Sequence, residues 1–173
     1  GMSVGQLRVS VLGPLWVWVG GGEEVRLSGG LQRRLLAFLV LRRGSVVSPD
    51  SAADVLWPDG LPRDPAAALQ NHVSRLRRRL PEGVVESVGS GYRIDANRVE
   101  VDSDRLETLL AEPPSAAVVE LREILAGWQG VAYPDLDDND DARVEATRLE
   151  EVRQRAREVV AEARLSMGDL DGL

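Results

Sequence analysis

Between positions 64 and 80 the chain reads DPAAALQNHVSRLRRRL, a stretch rich in side chains that bond nucleic acids. Asp64 is suited to cap a helix N-terminus, and Pro65 to the first helical position, where its missing N–H costs nothing. Leu69, Val73, Leu76 and Leu80 recur at spacings of four, three and four, so they share one helical face. At roughly 100° per residue, Asn71, Ser74, Arg75 and Arg78 project opposite that face. Gln70 and Arg77 flank one edge, and His72 and Arg79 the other. Arginine can bond guanine O6 and N7 as a fork, and Asn or Gln can pair with adenine N6 and N7. Gln70, Asn71, Ser74, Arg75 and Arg78 are therefore candidates for reading bases. Arg77, nearer the core edge, and His72, at the rim, are candidates for phosphate contact. An isolated arginine-rich helix is more often a solvated charged face, so the surrounding chain has to decide between the two.

Other chemistry finds fewer residues. Asp135, Asp137, Asn139 and Asp141 imitate the start of a calcium-binding EF-hand loop. The imitation fails at Asp140, where glycine is needed, and at Ala146, where a bidentate glutamate is needed. The competing expectation is a solvated acidic loop whose last carboxylates meet the N-terminus of the next helix. With one histidine and no cysteine, neither a zinc site nor a Cys/His catalytic pair can be assembled, and no carboxylates form a catalytic pattern. No enzyme activity and no cofactor are expected. Gly20-Gly21-Gly22 lacks the Gly-Lys-Ser/Thr that follows in a phosphate loop, so it is a turn.

The net charge of −7 conceals an asymmetry. Residues 1–98 carry 13 arginines against nine acids, and residues 99–173 carry eight against 19. This predicts two modules with different partners. No segment approaches the roughly 20 apolar residues of a membrane span, and no signal peptide is visible, so a cytoplasmic protein is expected.

The first module begins with alternation at Leu7, Val9 and Val11, then Leu15-Trp16-Val17-Trp18-Val19, a glycine turn and Glu24-Val25-Arg26-Leu27, which together predict a small antiparallel sheet. A helix over 31–43 carries Leu35, Leu36, Leu39 and Val40 on its apolar side, with Gly44 placed to end it. Gln32, Arg33 and Arg34 at its start are expected to be solvated, with phosphate contact as the alternative. Val46-Val47 can add a short strand. Ser48 caps a second helix, with Pro49 at its first position, running through Trp57. After residue 80, Val84-Val85-Glu86-Ser87-Val88 and Tyr92-Arg93-Ile94 flank Gly89-Ser90-Gly91 as a β-hairpin.

Sheet, three helices and hairpin, with the third helix basic, resemble the winged helix-turn-helix domain of the OmpR/PhoB type. The segments LRVSVLGPLWVWV, LQRRLLAFLVL, SPDSAADVLWPD, ALQNHVSRLRRRL and GSGYRI are most similar to the Streptomyces antibiotic regulatory protein family. The resemblance covers residues 7–95. It implies that 64–80 is the recognition helix and that Trp57 and the wing touch the DNA backbone, with Ser90 and Arg93 as the wing's candidates. Many relatives carry a basic residue at the wing tip; Val88-Gly89-Ser90 does not, which leaves Arg93 as the wing's main cation.

Downstream, helices are expected over 103–112, 115–128 and 140–167. Val118, Leu121, Ile124 and Leu125 mark the inner side of the second. Val144, Leu149, Val152, Ala156, Val159, Val160 and Ala163 mark that of the third, and Gly168 suits its end. This half resembles the bacterial transcriptional activation domain that follows the winged helix in the same family, continued in fuller members by tetratricopeptide-like helix pairs. The expected organisation is an α+β winged helix-turn-helix domain over 1–98 and an all-α, tetratricopeptide-like activation domain over 99–173. One such unit cannot bury its apolar face alone, so a truncated chain or a short family member is expected. The resemblance implies a transcriptional activator of a biosynthetic gene cluster. It would bind direct repeats in double-stranded promoter DNA, in tandem or as a homodimer, and contact RNA polymerase, with no membrane partner. The alternative is a protein-interaction module that uses a winged helix and a helical scaffold without DNA binding. The outward row of Asn71, Ser74, Arg75 and Arg78 disfavours it, because a protein-binding helix needs an apolar anchor there.

Overall fold

The computed structural model describes residues 5–166 and Gly168. The elements, in order, are β1 (Leu7–Ser10), β2 (Trp16–Val19), β3 (Glu23–Glu24), α1 (Gly30–Leu41), α2 (Pro49–Leu56), α3 (Pro65–Arg79), β4 (Val85–Val88), β5 (Gly91–Ile94), β6 (Val99–Val101), α4 (Asp102–Leu110), α5 (Pro114–Gly127) and α6 (Asp140–Ser166).

The first sheet has the order β3-β2-β1-β6. Its β1–β2 and β2–β3 pairs are antiparallel, but β6 pairs parallel to β1, with Leu7 opposite Val99 and Val9 opposite Val101. An all-antiparallel sheet was the expectation; the fourth strand comes from beyond residue 98. Alternation places Leu7, Val9, Val17, Val99 and Val101 on the buried side. The strand expected over 24–27 shrinks to Glu23–Glu24, continued by a single bond from Val25 N to Val17 O. At the end of β6, the Asp102 carboxylate accepts from Ser10 Oγ at 2.6 Å and from Val11 N at 2.9 Å. Burial pushes its pKa up, against these hydrogen bonds.

Helix α1 is the axis of the first half, with α2, α3, β5 and the short turn 134–136 packed around it. Leu35, Leu36, Leu39 and Val40 are buried as their spacing requires. Gly44 follows with φ +83°, the left-handed conformation that ends a helix most cheaply in glycine. Ser48 caps α2 by accepting from Ser51 N at 3.1 Å. Val47 forms a bridge to Tyr92, so the β4–β5 ribbon gains a third, one-residue edge. Gly91 permits this: a Cβ there would lie 2.5 Å from Val47 O.

The arginines at the start of α1 are neither solvated nor free for phosphate. Arg34 donates from Nε and Nη2 to Val55 O at 3.0 and 2.7 Å, from Nη1 to Asp135 O at 2.8 Å, and to Asp138 at 2.8 Å. Arg33 donates to Leu15 O at 2.9 Å and to Asp135 at 3.2 Å. Further along, Arg42 pairs with Asp141, and Arg43 grips both oxygens of Asp104 at 3.0 and 2.6 Å. Gln32 is 3% exposed. The acidic segment 135–141 is thus not a solvated loop. It is clasped to α1, and Asn139 caps α6 by accepting from Ala142 N. The charge asymmetry read as two modules with different partners is in large part the two halves' complementarity for each other.

In the second half α5 packs on both α4 and α6. Leu121, Leu149, Val152, Ala156 and Ala163 are buried as expected, but Val144 is 71% exposed, on the side of α6 that α5 does not cover. Gly168 has φ +70° and donates to Leu165 O, as a helix end should. Met167, where α6 was expected to end, and residues 169–173, where a further helix was expected, lie outside the described residues. The buried residues of the two halves form one contiguous cluster from Leu7 to Ala156.

Arg34 satisfies two main-chain carbonyls and a carboxylate at once. Arg34→Ala should therefore destabilise the chain by about 3 kcal/mol, whereas Arg143→Ala, which breaks an exposed pair within α6, should cost under about 0.5 kcal/mol. Urea unfolding monitored by far-UV circular dichroism measures both, and equal effects would mean that the clasp on α1 adds nothing.

Candidate nucleic-acid interface

Helix α3 starts where its sequence says. Asp64 accepts from Ala67 N at 3.1 Å, and Pro65 occupies the first position. Leu69, Val73 and Leu76, followed by Leu80 at the C-cap, are buried against α1 and α2. That seat turns Gln70, Asn71, Ser74, Arg75 and Arg78 outward, and all five are exposed.

Among the described residues, most arginines of the first 98 have an internal partner; Arg75 and Arg78, like Arg26, do not. In the first 98 residues, Arg33, Arg34, Arg42, Arg43, Arg77, Arg93 and Arg98 are all hydrogen-bonded within the chain, and Arg8 lies over the Trp18 ring. Among the described residues, Arg75, Arg78 and Arg79 have no hydrogen bond or ion pair, and they lie within about one turn of α3. Arg63, just ahead of the cap, is likewise exposed. Cationic forks left without carboxylates on a rigid helix are available to an external polyanion.

The phosphate candidates divide. His72 is half-buried, its Nδ1 3.1 Å from Gln32 Nε2 and its ring centroid 5.8 Å from that of Trp57. A bond donated by Gln32 to Nδ1 places the imidazole proton on Nε2. Burial, with Arg75 adding to it, lowers the pKa of His72. Trp57 closes the end of α2 and packs half-buried against the core. Arg77 donates from Nε to Val85 O at 3.1 Å and from Nη2 to Ser87 Oγ at 2.7 Å, and its guanidinium lies 5.5 Å from the centre of the Tyr92 ring. In the wing, Ser90 is exposed in the turn, while Arg93 is paired with Glu86 at 2.9 Å.

Gln70, Ser74, Arg77 and Arg78 line one open groove together with Ser87 and Tyr92 from the wing. Asn71 and Arg75 stand beside it on the exposed face of α3, and His72 and Trp57 lie on the other flank, against α1 and α2. Sequence reading did not single out Ser87 or Tyr92, and it expected Gln32 to be solvated or to meet phosphate, whereas it is buried against His72. For Gln32 a signal existed: it lies three and four residues before Leu35 and Leu36, on the apolar stripe of α1, where a polar side chain must find an internal partner.

Two family models match the chain: "Transcriptional regulatory protein, C terminal" over residues 22–94, and "Bacterial transcriptional activator domain" over residues 94–173. Regulatory protein AfsR of Streptomyces griseus is 31% identical over 157 residues, covering 83% of this chain and 16% of its own length. Transcriptional regulator RedD of Streptomyces coelicolor is 30% identical, covering 95% of this chain and 51% of its own length. The chain therefore spans about half the length of one relative and a smaller part of the other. Among solved structures, Mycobacterium tuberculosis EmbR, in complex with a low affinity phosphopeptide, superposes with a TM-score of 0.72 at 27% identity, over 94% of this chain and 46% of that one.

The depressed pKa of His72 has a signed consequence. The unfolded chain takes up the proton first as pH falls, so the stability from neutral His72 is full above about 6.5 and is lost as pH drops through the folded-state value. Urea midpoints measured from about pH 7.5 down to about pH 5 should fall more for the wild type than for His72→Gln. Parallel curves would show that His72 is not held neutral by its neighbours.

Proposed function

We propose that this chain, which belongs to the Streptomyces antibiotic regulatory protein family by its paired winged-helix and activator domains, regulates transcription by binding promoter DNA through α3. The observation that carries the proposal is the row of unpartnered Arg75, Arg78 and Arg79 on the exposed side of a helix whose other side is fixed in the core. Residues 1–98 would supply the DNA-binding domain and residues 99–173 the activation domain, a tetratricopeptide-like helical unit. The packing of α5 on both α4 and α6 supports the latter.

In this reading, Arg75 and Arg78 bond guanine edges in the major groove, with Gln70, Asn71 and Ser74 choosing among the remaining bases. Ser90, Arg79 and the unpaired N–H groups of Arg93 meet phosphates, which fixes register without choosing sequence. Trp57 and His72 brace the flank of α3 that faces the backbone. The regulated genes would be a biosynthetic cluster, the sites direct repeats about one DNA turn apart, and the setting the cytoplasm. The activation domain would contact RNA polymerase. A purely protein-binding role fits less well, because the exposed side of α3 offers no large apolar side chain.

Arg78→Ala should weaken binding to a duplex selected by the wild-type chain from a randomised pool by about 1–3 kcal/mol and relax the preference at one position. The wild-type affinity should fall with salt with a log–log slope near −0.9 for each phosphate contacted. Fluorescence anisotropy at fixed and then graded salt reads both, and a flat salt response with an unchanged Arg78→Ala affinity would remove α3 from the interface.

A further inference from the structure

The wing has a turn without a cation, and its one arginine is bound to Glu86. Attraction by free charge is therefore not what brings it to DNA; its pose has to be set from within. On the β5 side the ribbon is held by backbone bonds from Val47 N to Tyr92 O at 2.7 Å, from Tyr92 N to Val47 O at 2.9 Å and from Gly44 N to Ile94 O at 3.1 Å. All three bonds lie on β5, so they fix that strand and leave the β4 side of the ribbon to be held from elsewhere. The opposing hold comes from α3. Arg77, in its last turn, reaches across the corner formed by residues 80–84 to Val85 O and Ser87 Oγ on β4 and covers the Tyr92 ring on β5.

We propose that Arg77 is the positioning residue of the wing, fixing its angle to the recognition helix so that α3 and the wing meet one stretch of DNA in register. The inference rests on the DNA-binding reading and deepens it. Both anchored N–H groups belong to one planar fork, and the ring lies against the same guanidinium. A lysine ammonium has the charge but neither the plane nor the two fixed directions, so it cannot hold Val85 O and Ser87 Oγ at once. This separates positioning from direct phosphate contact, for which the charge alone suffices.

The test compares Arg77→Gln and Arg77→Lys with the wild type, with circular dichroism as the folding check and Ser87→Ala as a variant that cuts one anchor and leaves α3 intact. Hydrogen exchange of the peptide 84–94 should accelerate in both Arg77 variants, and less so in Ser87→Ala, while peptides of α3 stay protected. On the duplex selected by the wild-type chain, both Arg77 variants should bind about tenfold more weakly, with the base preference kept. They should lose the same part of the salt slope. Wild-type binding by Arg77→Lys, with only Arg77→Gln losing about 0.9 of slope, would make Arg77 a phosphate contact and overturn the proposal. Unchanged exchange in the wing of Arg77→Gln would overturn it too. A wild-type chain that enriches no duplex would defeat the DNA reading and the inference with it, whereas wild-type binding with unchanged variants defeats the inference alone.

Discussion

The α1 arginines and the acidic segment they hold are the constraint from which the rest follows. Arg34 ties three things with one guanidinium: the C-terminal turn of α2 through Val55 O, the turn 134–136 through Asp135 O, and the Asp138 carboxylate. Arg33 adds the start of β2's approach through Leu15 O, and Arg43 adds α4 through Asp104. Because α3 packs on α1 and α2, the frame that orients α3 is braced by residues about a hundred positions beyond α1's arginines. A charge buried in this way is costly unless every donor finds an acceptor, and here main-chain carbonyls complete what the carboxylates begin.

The joint has a second element at Tyr133. Its backbone sits at φ 52°, a left-handed conformation that a bulky side chain avoids, while its N–H donates to Val11 O at 2.8 Å. The ring is buried, and burial pushes the phenol pKa up to about 12, so it stays protonated and uncharged beside Arg43. Strain of this kind persists only where surroundings over-determine it, at a cost of about 1–3 kcal/mol. The bonds of Leu15 N and Arg33 to Asp135, two residues on, are such surroundings.

Local rules made much of this legible. The caps at Ser48 and Asp64, the apolar stripe of α3, the left-handed Gly44 and the wing hairpin were all readable because each depends on neighbours within a few positions, though the hairpin's turn is Gly89-Ser90 and not the three residues expected. Arg33 and Arg34 were not, since an arginine at a helix start looks the same whether water or a carboxylate a hundred residues later receives it. The fourth strand was missed for a related reason: Val99-Glu100-Val101 alternates correctly, but nothing local says that its partner is β1 and that the pairing is parallel. Val144 failed differently. It lies five residues before Leu149, about 140° around α6 from the buried stripe, so its apolar type and not its spacing suggested an inner place. In the interface the outward row on α3 followed from angle alone, whereas Arg77 and His72 were assigned outward roles that hydrogen bonds to Ser87 and Gln32 now qualify.

The chain has no lysine, its 21 Lys-plus-Arg cations all being arginine, and the molecule as a whole is anionic. A polyanion approaching from most directions meets cations already occupied by their own carboxylates. The internal pairs thus act as insulation. Among the described residues of the first half they leave bare guanidinium concentrated on and just before α3, so on the proposed DNA-binding reading loose adsorption is weakened and residence depends on presenting α3 first. On that reading, the acids of the second half, which by composition look hostile to DNA binding, would keep the binding selective in orientation.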